Sequence, residues 1–230
     1  MAGALAPHDI RAEKRGDCGY PGVNVIYDGP AELEAACTAL TDIVAYFQRV
    51  GFEIAPKVSL RFVDRDAARS FQQVAAHGYF NAPQSQIVVY RTSDVSPWGL
   101  VWSAKLAASF LRHELAHMAI WAIVGGGQVR LGREWHEFIA YAIQLDLMDG
   151  QLLKELLARH TETGPVGNLT EINEFTYSMG PEAFAVAAYK TYLAKGATKF
   201  VGQLLRAEVV PPPLSYPFPV LPDQGRPNEN

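Results

Sequence analysis

The chain has 230 residues, 49% of them hydrophobic and 19% charged, enough apolar material for one globular domain with a sizeable core. A net charge of −4 leaves no basic excess with which to hold nucleic acid or an anionic membrane surface. The most apolar stretch, 98–124, is broken by Lys105, Arg112, Glu114 and two histidines, so no membrane span is expected.

Residues 1–20 are polar and aperiodic and read as a flexible lead-in. The opening MAGALAPHDI has neither a basic n-region nor an apolar core, so no signal peptide is expected in it. Val23–Tyr27 alternates like a strand. Asp28-Gly29-Pro30 then starts a helix whose Leu33, Ala36, Leu40, Ile43, Phe47 and Val50 recur at three and four, with Gly51 to end it. Cys18 and Cys37 are the only cysteines. A bond between them would suit a periplasmic or secreted protein, and two buried thiols a cytoplasmic one; the even count favours the bond.

Val58–Val63 reads as a second strand. Residues 78–80 and 86–90, joined by the turn-like Asn81-Ala82-Pro83-Gln84-Ser85, read as a hairpin. Ser96-Pro97 offers a cap and first-turn proline for a helix reaching Val124, and Gly125-Gly126-Gly127 stops it. A further helix is expected over 132–148, and a short amphipathic one over 152–160. A polar loop holding the Asn168-Leu169-Thr170 sequon leads to helices at Pro181–Ala194 and Thr198–Leu205. The last stretch, 210–230, carries seven prolines and is expected to be extended. No internal repeat is evident.

Within the central helix stands His113-Glu114-Leu115-Ala116-His117, an HExxH pattern. Positions i and i+4 share a helix face, so both imidazoles project together and can grip one Zn²⁺. Glu114 lies one step round, placed to reach water beside the metal. Apolar neighbours on both sides make this a costly place for two imidazoles and a carboxylate unless something pairs them. Met118, Ala119 and Ile120 follow where a metzincin would need its glycine and third histidine, so that class is excluded.

The third ligand is then sought downstream, where Glu137 follows His117 by twenty positions. The run Glu-Trp-His-Glu-Phe-Ile-Ala-Tyr (134–141) resembles the third-ligand helix of the gluzincins, with Glu137 at the ligand and Ala140 at the later alanine. The spacing is similar to that of thermolysin-like members. His136 stands where the family usually has Asn, and Phe138 where many members have Gly. Glu134 and His136 stay open as alternative ligands. Residues 105–148 are also similar to uncharacterised bacterial secreted HExxH proteins with an EFxAYAxQ helix.

The resemblance implies an α+β, zincin-like fold: a small N-terminal sheet with a hairpin packed on the active-site helix, then a mainly helical C-terminal lobe. It divides the chain into a lead-in (1–20), a metallopeptidase domain (21–209, its sheet and HExxH helix in 21–127 and its helical part in 128–209) and a proline-rich tail (210–230). It implies zinc on His113, His117 and Glu137, with Glu114 taking a proton from the metal's water as it attacks a peptide carbonyl. The substrate would be a peptide or protein, received along the 78–91 hairpin edge. A Tyr or His from the C-terminal lobe would steady the oxyanion; Tyr177, His160 and Tyr141 are the candidates. Two other readings stand beside this one: a zincin-like protein that binds metal without turnover, and a helical interaction protein in which HExxH is coincidence.

Overall fold

Alternating apolar side chains build the sheet at the start of the chain. The computed structural model describes residues 14–64, 77–91, 96–125 and 131–212. In β2 (Val23–Tyr27), Val23 and Val25 are buried while their neighbours are partly exposed; in β3 (Val58–Val63), Val58 and Leu60 are buried with Ser59 partly exposed between them. This is the period of two that places one face on a core. The 21-residue α1 (Pro30–Val50) crosses between them, and β2 and β3 pair in parallel, as such a crossover requires. Gly51, at φ 95°, ends α1, and the Phe52 amide donates back to the Phe47 carbonyl at 2.9 Å.

The expected hairpin is present: β4 (Gly78–Asn81) and β5 (Gln86–Tyr90) pair antiparallel, with Phe80 opposite Ile87. A short 3-10 turn, Ala82–Gln84, joins them. Sheet order is β1-β2-β3-β5-β4, so β4 is an edge. β1 (Lys14–Gly16) falls within the stretch read as a lead-in, and pairs antiparallel with β2. Three residues are too few to show a period, so pairing rather than pattern makes this strand. Residues 1–13 of that lead-in, Gly126 and Gly127, and 213–230 of the tail lie outside the described residues.

Seven α-helices occur among the described residues, giving a mixed α+β architecture. The HExxH helix α2 (Ala104–Val124) starts later than Ser96-Pro97 would place it. Trp98 and Gly99 adopt positive φ, 53° and 68°, and hold Pro97–Gly99 as an isolated 3-10 turn. The cap falls to Ser103, whose hydroxyl accepts from the Leu106 amide at 3.2 Å. Leu106, Leu111, Leu115 and Ile120 of α2 are all buried. Burying each such side chain contributes roughly 1.5–3 kcal/mol.

α3 (Arg133–Asp146) packs along α2 and against α6 (Pro181–Ala194). α4 (Gly150–Arg159) is capped by Asp149, whose carboxylate accepts from the Gln151 and Leu152 amides. The polar loop contains an unanticipated short helix, α5 (Glu174–Met179), capped by Asn173. Asn168 of the sequon caps a 3-10 turn just before it. α7 (Thr198–Leu205) closes the core against α1. No helix of the described residues is long and apolar enough to cross a membrane. A disulfide joins Cys18, in the turn after β1, to Cys37 on α1.

Candidate metal centre

Two consecutive helices supply the centre. His113 and His117 lie one turn apart on α2, with Nε2 atoms 3.1 Å apart and rings at 82°. From α3, Glu137 brings its Oε2 to 3.3 Å from His113 Nε2 and 3.6 Å from His117 Nε2. Among the described residues these three form the group whose ligand atoms converge; Glu134 and His136 contribute none. Glu134 is buried with its carboxylate folded back against Gly132, at the start of α3. His136 faces the same cavity with its ring 6.4 Å from that of His117, and burial, followed by the charge on His117, pushes its pKa down to about 4.

The donor set suits a divalent cation of the zinc kind. Ligands at about 2.0–2.1 Å in a tetrahedron stand roughly 3.3 Å from one another, close to the separations seen. Burial by itself would raise the Glu137 pKa; hydrogen bonds from His113 and His117 outweigh it and hold the carboxylate ionised well below its usual range. Two imidazole nitrogens and an ionised carboxylate thus face one point. His113 Nδ1, on the other side of its ring, is buried with no hydrogen-bond partner among the described residues.

Glu114 shares the cavity, on the side of β4. It is buried, and that burial is the main reason its pKa rises to about 7; Glu137 adds to the rise, while His117 and a hydrogen bond from the Phe80 amide oppose it. Phe80 lies on the edge strand, so a main-chain group of β4 adjoins the carboxylate. Gly78 makes this approach possible: a Cβ there would meet the Val88 carbonyl oxygen at 2.8 Å.

The surrounding cavity, about 940 Å³, is walled by α2, α3, the β4 edge, the 97–99 turn and the start of α6. Tyr141 and Tyr177 line it; His160 does not, and instead caps α4 while its carbonyl accepts from Lys190. The Tyr141 ring lies 4.4 Å from that of His113, and burial raises its pKa well above normal. Burial, with the Glu137 charge, pushes Tyr177 up to about 12 against the opposing effect of Arg133. Both phenols therefore keep their protons at neutral pH. Sequence patterns did not disclose Gly78, the Phe80 amide, Trp98 or Glu182, all of which line this space. A backbone donor leaves no residue signature, and Glu182 looks like an ordinary first-turn acid.

No curated protein and no solved structure matches this chain. The model of a family described as of unknown function, DUF6639, matches residues 23–212, which hold every residue of the centre. On a match of that extent, the chain belongs to the DUF6639 family.

Proposed function

We propose that the protein is a zinc-dependent metallopeptidase of gluzincin type with a zincin-like arrangement of sheet and helices. The observation that carries this reading is the convergence of His113, His117 and Glu137 beside a separate buried carboxylate, Glu114, in one cavity. His113, His117 and Glu137 would hold the metal. Zinc supplies, when bound, a Lewis acid that polarises a carbonyl and acidifies water.

The chain's own groups do the rest. Glu114 accepts a proton from the attacking water and returns it to the leaving nitrogen, a role suited to a buried carboxylate that shares the cavity with the ligands and is not one of them. The Phe80 amide orients that carboxylate. The outward main-chain groups of β4 can pair with an extended peptide, since among the described residues this strand has no neighbouring strand on its far side. Tyr141 and Tyr177, both protonated, offer hydroxyl donors for a developing oxyanion. The Cys18–Cys37 bond supports a periplasmic or secreted location for the work.

A second reading keeps the metal without turnover. It is favoured by the unpartnered His113 Nδ1, because ligating histidines ordinarily donate from their second nitrogen to fix the ring. Metal content and hydrolysis of a fluorogenic peptide mixture, measured on wild type and Glu114→Gln, separate the two. The peptidase reading expects one zinc in both proteins and hydrolysis in the wild type alone. Equal hydrolysis, or none in either, would sink it.

A further inference from the structure

The cavity is chemically lopsided. On the side of Glu114 it is lined by Trp98, Phe110 and His77, with Pro97 and Pro181 beside them. Trp98 and Phe110 stack with centroids 5.3 Å apart, and His77 lies tilted against Phe110 at 4.2 Å, so the three rings form one aromatic cluster. Glu182 stands at its mouth, exposed, on the first turn of α6. Arg133 is the one Lys or Arg among the described lining residues, and it belongs to the other side. It pairs with Glu174 at 3.1 Å and lies over the Tyr177 ring. Arg159, near Gly99 behind the turn, is turned to Glu155 and does not line the cavity.

Two further facts fix this wall in place. Trp98 holds a positive φ of 53°, a conformation that costs a non-glycine residue energy and persists only where its surroundings enforce it. The enforcement comes from Glu182: its Oε1 accepts the Trp98 amide at 2.8 Å, and its carbonyl accepts the indole N–H at 3.2 Å. The indole is thereby pinned. A carboxylate has about four acceptor positions, and the Trp98 amide takes one of them.

From this arrangement we infer that the Trp98–Glu182 end of the cavity is a subsite for a cationic side chain, arginine or lysine, of the substrate. The cation lies against the aromatic wall and is met by the remaining acceptor positions of Glu182. Aromatic faces attract cations more strongly where water is excluded, and a guanidinium also stacks flat on an indole. No basic side chain of the chain competes at that end among the described residues. As a statement about substrate, this rests on the peptidase reading; as a statement about binding, it can be tested without turnover.

The test compares acetyl-arginine amide with acetyl-citrulline amide, which has the same shape and no charge. Their binding to wild-type protein, to Glu182→Gln and to Glu174→Gln is followed by ligand-observed NMR. Glu182→Gln keeps an acceptor for the Trp98 amide and so preserves the pinned turn. Wild type and Glu174→Gln should bind the arginine compound about tenfold more tightly, and Glu182→Gln should lose most of that preference. Equal binding of the two compounds by wild type, or binding of neither, would overturn the inference even if the variant did not fold. Arginine preference in a protein that hydrolyses no peptide would retire the peptidase reading and leave the subsite standing.

Discussion

Gly78 on the edge strand faces Glu114 so closely that a methyl group there would lie 3.4 Å from the Glu114 Cγ. The same methyl would meet the Val88 carbonyl oxygen at 2.8 Å, a backbone atom that cannot swing aside. Gly78→Ala must therefore move β4, and with it the Phe80 amide that holds the Glu114 carboxylate. The ligands on α2 and α3 are untouched. Peptidase activity should fall on the order of tenfold to a hundredfold while zinc content stays at wild-type level, since small misplacements of a catalytic group cost that much. Full activity in this variant would show that β4 does not position Glu114.

Glu137 and Glu134 lie one turn apart on α3 yet have opposite fates. Glu137 points at both histidines, whereas Glu134 folds back on Gly132. Glu137→Ala should purify without zinc, and Glu134→Ala with it. Thermal melts with and without chelator provide the second readout. A ligand present at a hundred times its Kd stabilises by about 2.7 kcal/mol, so chelation should lower the melting temperature of wild type and Glu134→Ala only. The reverse pattern would move the third ligand to Glu134.

Acid stability should depend on the cluster that Arg91 builds on α1 and its approach. Arg91 Nε meets Glu32 Oε1 at 2.6 Å and its Nη2 meets Asp28 Oδ2 at 2.9 Å. Burial works to raise the Glu32 pKa, but the Arg91 hydrogen bond and the Asp28 amide overcome it and hold the pKa below its ordinary value. A carboxylate lowered in the folded state contributes stability that is present above its unfolded pKa, about 4.3. That contribution is lost as pH falls from there through the lower folded value. Urea midpoints measured downward from pH 5 should drop more steeply for wild type than for Glu32→Gln. Parallel slopes would remove Glu32 from the account.

The Cys18–Cys37 bond closes a loop spanning 19 positions and fastens β1 to α1. In the chain-entropy model, such a loop is worth about 3 kcal/mol. The double variant Cys18→Ser/Cys37→Ser should lose about that much in chemical denaturation, with the metal centre intact. An unchanged midpoint would mean that the bond does not restrict the unfolded chain as the chain-entropy model requires.

The parts of the fold that were legible in the sequence are those set by local periodicity. The α1 stripe, the β4–β5 hairpin and the two helices carrying HExxH and Glu137 stand where pattern and spacing placed them. Other parts were decided by contacts far along the chain. The cap at Ser96-Pro97 failed because Glu182, on α6, holds Trp98 in a left-handed conformation that no helix can continue. α5 is six residues long, too short to display a helical period, although Asn173 three residues before Thr176 was an available start signal. β1 exists only because β2 pairs with it. In the centre, His113, Glu114 and His117 could be named from their spacing, and Glu137 from a resemblance that left Glu134 and His136 open. The Phe80 amide and the aromatic wall could not, because one is backbone and the other is assembled from residues 77, 98 and 110.

The three converging side chains all fall between residues 113 and 137, on adjoining helices, whereas the cavity walls come from residues as far apart as 77 and 182. Local pairs form early in folding and distant ones late, because the entropy of closing a loop rises with its length. Two histidines one turn apart can also grip a metal in a half-formed helix. Refolding in the presence of zinc should therefore pass through a loaded, inactive species, visible as metal uptake that precedes the recovery of activity. For the same reason, affinity measured on the native protein would overstate how much zinc protects it from unfolding.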